Sequence, residues 1–332
     1  MRISLKNFIV PSIPLAVFLV VACCSLWGVS FSAGHYSPIP ISDNTFAEIL
    51  QSIFKPDTVI SKLISLAFTL LNAFLIAQIN NRFTIIRIRT FLPVFIFLIL
   101  MGSWSQTHTI NGSQISLSLF IVSLFYFFNM SRNGKATEEA FMGTLIIAVS
   151  SLLIRQLIFL IPVCWIGFMI FQSFSLRTFL ASLFGLLTPW IIYISINYYY
   201  YFGSTLNLKQ FFDFHFDFSF QISTFTLPEL IYSALISIVM IIALAGMFSI
   251  TNRDAIHTRN KLNFLLLLLV VFSLMIIVFR NHYFMFLPFI AAIYAMLISH
   301  PLTLKQNIFY GILFVIFCIL NIAFIISKFI FY

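Results

Sequence analysis

Two groups of cationic side chains and one carboxylate carry most of the chemistry open to this 332-residue chain. Arg155 and Gln156 interrupt a long apolar stretch, where burying an arginine costs roughly 2.5–3.5 kcal/mol on insertion scales and so calls for a reason. A guanidinium is permanently charged and grips phosphate through two parallel hydrogen bonds, so one reading is an anion site in a protein-lined recess. The other is an arginine whose stem lies in lipid while its head reaches the headgroups. Arg280-Asn281-His282-Tyr283 breaks two further apolar runs with four side chains that can hydrogen-bond a phosphate or a sugar. A polar turn with an interfacial tyrosine is the plainer alternative there. Asp43, the first acid after the opening apolar run, can serve as a general base toward a hydroxyl, or simply cap a helix.

Other constellations are thinner. Asp213, His215 and Asp217 alternate with phenylalanines from Phe212 to Phe220, a spacing that lines one face of an extended segment but matches no metal motif, so a solvated face is the expected reading. Cys23, Cys24, Cys164 and Cys318 all fall inside apolar runs, as small core hydrophobes do. His35, His108, His257 and His300 stand singly, with no second ligand at helical spacing, and receive no role. There is no glycine-rich phosphate loop, nucleophile elbow or zinc helix motif, and no basic run that would suit nucleic acid. No metal or cofactor is expected.

The elements that must position these groups follow from composition. Hydrophobic residues make up 61% and charged residues 8%, against about a quarter charged in soluble domains, which excludes a water-soluble fold. Apolar runs predict membrane spans near 11–33, 59–79, 91–104, 114–130, 141–154, 157–174, 178–198, 230–250, 262–279, 283–299 and 307–327. The expected fold is all-α, a polytopic transmembrane helical bundle of about eleven spans forming one integral membrane domain over residues 1–332. Residues 141–174 are too long for one crossing, since 34 residues at ~1.5 Å each reach ~51 Å against a core of ~30 Å. A short helical hairpin turning at Arg155 is therefore expected. The opening basic residues Arg2 and Lys6 precede an apolar run longer than a signal peptide's, which reads as an uncleaved first span.

Charge asymmetry orients the bundle. With the hairpin in place, Arg2, Lys6, Arg82, Arg87, Arg89, Arg132, Lys135, Arg177, Arg253, Arg259, Lys261 and Lys305 share one side, 12 of the 18 cations, predicting a cytoplasmic N-terminus and an outward C-terminus. Two outward segments are long: 34–58, with an expected interfacial helix after Asp43, and 199–229, rich in aromatics and read as an extended strand that rests on the bilayer edge or covers a cavity. Arg89-Thr90-Phe91-Leu92 and Arg177-Thr178-Phe179-Leu180 both open spans, where an arginine anchors and a threonine helps to cap. Asn72, Gln78 and Asn321 inside spans are expected to hydrogen-bond between helices.

Phe279-Arg280-Asn281-His282-Tyr283, followed by Phe286-Leu287-Pro288-Phe289-Ile290-Ala291-Ala292, resembles the late segment of GT-C-type membrane glycosyltransferases. There a basic residue and a tyrosine precede a proline-containing span. The hairpin from Ile147 to Trp165, with Arg155 at its turn and Pro162 after it, is similar to the paired short helices of that superfamily. The whole chain also resembles an uncharacterised multi-pass family of Bacteroidota. The resemblance implies a bacterial inner-membrane enzyme that takes a sugar from a polyprenyl-phosphate donor at the outer face. It further implies Asp43 as base and Arg155, Gln156, Arg280, His282 and Tyr283 around the donor phosphate. Asp43 is followed by Asn44, where the superfamily often has a second acid. A transporter or flippase of a lipid-linked anion would use the same cations without a base, and a non-enzymatic assembly partner would use only the aromatic surface.

Overall fold

In hydrocarbon each unpaired backbone N–H or C=O costs several kcal/mol, so apolar runs of membrane length must close their own hydrogen bonds as helices. The computed structural model describes residues 12–32, 58–130, 136–200, 226–251, 254–279, 282–305 and 307–331. Among these lie eleven α-helices: α1 (Ile13–Ser32), α2 (Val59–Phe83), α3 (Leu92–Ser103), α4 (Gly112–Met130), α5 (Ala136–Leu153), α6 (Leu160–Ile170), α7 (Leu176–Tyr200), α8 (Leu227–Thr251), α9 (Ile256–Val278), α10 (Tyr283–Leu304) and α11 (Ile308–Phe331). No strand occurs among the described residues. Eight helices are long and apolar enough to cross a membrane, and three more apolar stretches are shorter. The protein is a multi-pass integral membrane protein with an all-α bundle, as composition predicts. The expected interfacial helix after Asp43 and the aromatic segment 212–221 lie outside the described residues.

The hairpin forms where the length argument requires it. α5 stops at Leu153, Ile154 is extended (φ −128°, ψ 96°), and a 3₁₀ turn over Arg155–Phe159 feeds the 11-residue α6. α6 returns the chain, so α5 and α7 run parallel and pack directly on one another. Small residues permit this. Ala140, Gly143, Thr144 and Ala148 on α5 are buried, as are Thr178, Ser182 and Gly185 on α7. A Cβ built on Gly185 would collide with the Thr144 hydroxyl and the Phe141 carbonyl. Without a hydrophobic force between helices in lipid, such close backbone packing and interhelical hydrogen bonds hold the pair. Trp190 Nε1 donates to Ser151 Oγ at 3.1 Å, and Trp165 Nε1 on α6 donates to Ser182 Oγ at 3.0 Å. Both Arg-Thr-Phe-Leu openings use their threonines as local caps: Thr90 Oγ1 accepts from Leu92 N at 3.1 Å and Thr178 Oγ1 from Ser175 N at 2.8 Å.

α10 is the axis of the bundle. Nearly all of its residues are buried, and α3, α4, α8, α9 and α11 pack around it. α8 and α9 are consecutive, yet each packs chiefly on α10 rather than on its sequence neighbour. They therefore diverge from their shared corner like the arms of a V.

Candidate functional site

Two helices are too short for a full crossing, and both leave irregular backbone at the same end of the bundle. α3 has 12 residues and climbs ~18 Å, so the chain leaves helix at Trp104 well short of ~30 Å. Backbone outside a helix at membrane depth survives only when protein buries it. That condition is met: Trp104, Thr107, His108, Thr109, Ile110 and Asn111 are all buried. Ser65 Oγ of α2 donates to the Thr107 carbonyl at 2.7 Å, and the Ile110 N–H donates to Ser61 Oγ at 3.1 Å. Gln114 Nε2 donates to Ser65 Oγ at 2.7 Å and also to the Thr107 carbonyl. Asn72 Nδ2 donates to the Gln114 carbonyl at 3.2 Å while its Oδ1 accepts from Ser118 Oγ at 2.7 Å. The His108 ring lies 4.1 Å from that of Trp27 on α1.

This buried loop supports an aromatic wall. Trp104 meets Tyr232 of α8, Tyr283 of α10 and Phe324 of α11, with ring centroids 5.9, 6.5 and 5.3 Å away. Tyr232 and Phe324 stack at 3.9 Å with planes 5° apart. The Tyr232 hydroxyl donates to Asn321 Oδ1 at 2.7 Å, which also accepts from Ser103 Oγ at 2.8 Å. One turn before Tyr232, the buried Glu229 accepts from Gln106 Nε2 at 3.1 Å and from the Thr226 N–H at 3.2 Å. The second contact is the acidic half of a capping box at the start of α8.

Below the wall, the V between α8 and α9 encloses a cavity of about 400 Å³ floored by α10 and α3. Its lining is mainly apolar, with Met101, Ile236, Met240, Leu269 and Ile290 among the residues. The hydroxyls of Ser233, Ser237, Ser273, Tyr232 and Tyr294 are spaced along it. Ser233, Ser237 and Ile241 are exposed, so the cavity opens on the side of α8 that faces lipid in a membrane.

Of the residues expected from the sequence, Arg155, Gln156, His282 and Tyr283 fall at this same end. Arg155 and Gln156 begin the 3₁₀ turn and are half-buried between the buried Ile154 and Leu157. Phe159, four residues on, stacks on Phe279 at 5.8 Å and sets the turn against the corner before α10. His282 is half-buried there, its N–H bonded to the Phe279 carbonyl at 3.0 Å, and Tyr283 is buried against Trp104. Asp43 and Arg280 lie outside the described residues. Asn72 and Asn321 bridge helices as expected, whereas Gln78 is exposed.

Sequence reasoning missed Trp104, Glu229 and Tyr232. The polar run from Ser103 to Gln114 between two apolar stretches was the available signal for the buried loop. It also left His300 without a role, although His300 faces Asp254 at the opposite end. No group of three or more metal-ligating side chains occurs among the described residues. No protein-family model, curated protein or solved structure matches the chain.

Proposed function

We propose that the protein acts on a lipid-linked substrate, as a GT-C-like glycosyltransferase that draws a sugar from a polyprenyl-phosphate donor at the outer face of a bacterial inner membrane. The observation that carries this reading is the largely apolar cavity that opens toward lipid and ends beneath the Trp104–Tyr232–Tyr283 wall. An isoprenoid chain buries well in such a groove, and its phosphate would then emerge at the corner shared by the Arg155 turn and the start of α10. Arg155, Gln156, Arg280, His282 and Tyr283 supply charged and neutral donors for that phosphate, the arginines bidentately. Asp43 would take the proton of the acceptor hydroxyl. The N-terminus is cytoplasmic in this reading, which puts the Arg155 end outside.

The test is native mass spectrometry and donor binding on the purified protein with polyprenyl phosphate. Arg155→Ala should weaken binding by about tenfold to a hundredfold, the loss of one charge-assisted contact of about 1.5–3 kcal/mol. Ser237→Trp, which fills the groove, should exclude the lipid while leaving the helices intact. Unchanged affinity in both variants would overturn the reading. Asp43→Asn separates transfer from transport: sugar transfer stops in an enzyme, whereas a flippase of the same lipid continues to move it.

A further inference from the structure

At the end of the bundle opposite Arg155, one carboxylate is faced by an arginine and a histidine, the three side chains coming from three separate elements. Asp254 stands in the short corner between α8 and α9, its side chain wholly removed from solvent. Arg87 reaches it from the corner between α2 and α3, with Nη2 2.7 Å from Oδ1, while 47% of the arginine side chain stays exposed. His300, fully buried in α10, places Nε2 3.2 Å from Oδ2. Asp254 and Arg87 are the charged groups that act on this imidazole among the described residues. Lys261 of α9 is also buried nearby in the fold, but its Nζ donates to the Phe83 carbonyl at 3.1 Å and sits over the Phe83 ring.

An ion pair between Arg87 and Asp254 would suffice to tie the two corners together. The fully buried imidazole adds something that a tie does not need. With Nε2 turned to the carboxylate, the neutral ring carries its proton there, since two lone pairs at that separation would repel. Nδ1 then holds a lone pair and completes no hydrogen bond among the described residues, while Nε2 has the carboxylate 3.2 Å away as its ionic neighbour without a well-aligned hydrogen bond. Ionisable groups inside a membrane bundle are costly and recur in proton pathways.

We propose that Asp254 and His300 form a proton-binding site, and that proton uptake exchanges the partner of Asp254 from Arg87 to His300. With the ring neutral, the cluster holds one positive and one negative charge. A proton from bulk water on Nδ1 gives imidazolium, and the buried cluster then carries one excess positive charge. Arg87, already half in water, is the cation that can leave, and its departure removes the ion pair between the α2–α3 and α8–α9 corners, while Lys261 stays on the Phe83 carbonyl. The proton is returned when the ring deprotonates and Arg87 re-forms its pair.

The experiment uses the full chain in lipid nanodiscs with ¹⁵N-labelled histidine and arginine. Ring nitrogens are followed by NMR across about pH 5 to 8, where histidine changes charge. His300→Gln identifies the His300 signals. If that variant does not fold, the five other histidines are replaced one at a time to remove theirs. The expected result is a His300 pair that passes from the neutral Nε2–H form to imidazolium, with a midpoint that moves in Asp254→Asn. The Arg87 signal shifts at the same midpoint. A His300 ring that keeps one protonation state throughout, or titrates identically in Asp254→Asn, overturns the site. An Arg87 signal that stays fixed while His300 titrates overturns the partner exchange.

Discussion

Gly185→Ala probes the parallel α5–α7 contact with the smallest possible change. The new methyl would run into the Thr144 hydroxyl, the Phe141 carbonyl and, at 3.1 Å, the Leu145 nitrogen. Two of those three are backbone atoms, which cannot swing aside, so the helices themselves must separate. Overpacking of this kind costs about 1–3 kcal/mol. Separation also strains the Trp190–Ser151 and Trp165–Ser182 hydrogen bonds, each worth about 0.6 kcal/mol in a membrane bundle. Alanine's better helix propensity returns up to about 1 kcal/mol. The net expectation is a loss of about 1–3 kcal/mol, or roughly a 5- to 150-fold fall in the folded-to-unfolded ratio. Reversible unfolding in mixed micelles with rising dodecyl sulfate measures it. Gly28→Ala on α1 is the control, because nothing lies within 4 Å of a Cβ built there and only the propensity gain applies. If Gly185→Ala unfolded together with wild type, the close approach inferred for these helices would be wrong.

Two further substitutions examine the wall and the loop behind it. Tyr232→Phe removes one donor from Asn321 Oδ1, which keeps Ser103, so a loss of about 0.5–1.5 kcal/mol is expected in the same unfolding assay. A stability unchanged within error would mean the hydroxyl is free to serve a ligand instead. Gln114→Leu strips the buried loop of a donor shared by Ser65 Oγ and the Thr107 carbonyl. It should cost about 1–3 kcal/mol and increase proteolysis between Trp104 and Asn111. Wild-type resistance there would show that the loop is held by packing alone.

How much of this was readable from the sequence depended on whether the signal was local. Apolar run length marks each span because lipid leaves the backbone no other solution, and the turn at Arg155 followed from simple length arithmetic. The stacking of Phe159 on Phe279, which sets the Arg155 turn against the corner before α10, is a contact between distant segments, and no spacing rule reaches that far. The same holds for the Arg87–Asp254–His300 cluster, whose members sit in three separate elements and each look unremarkable in isolation. Tyr232 was hidden differently: within α8 it reads as one more aromatic, and only its bond to Asn321 on α11 gives it a polar duty. Gln78 failed for the opposite reason, since a polar residue inside an apolar run points to a neighbour only if it lies on the packed face, and this one does not.

The central place of α10 bears on how the chain is made. Synthesis runs from the N-terminus, so α1 through α9 are made before the segment that α3, α4, α8 and α9 will pack against exists. Until Tyr283–Leu304 arrives, the faces of α3, α4, α8 and α9 that it will cover must be satisfied by lipid, and the V between α8 and α9 stays open. Insertion and final assembly are thus separated in time. A ribosome halted after α9 would leave a membrane-embedded but unassembled intermediate, the form that quality-control proteases are expected to find first.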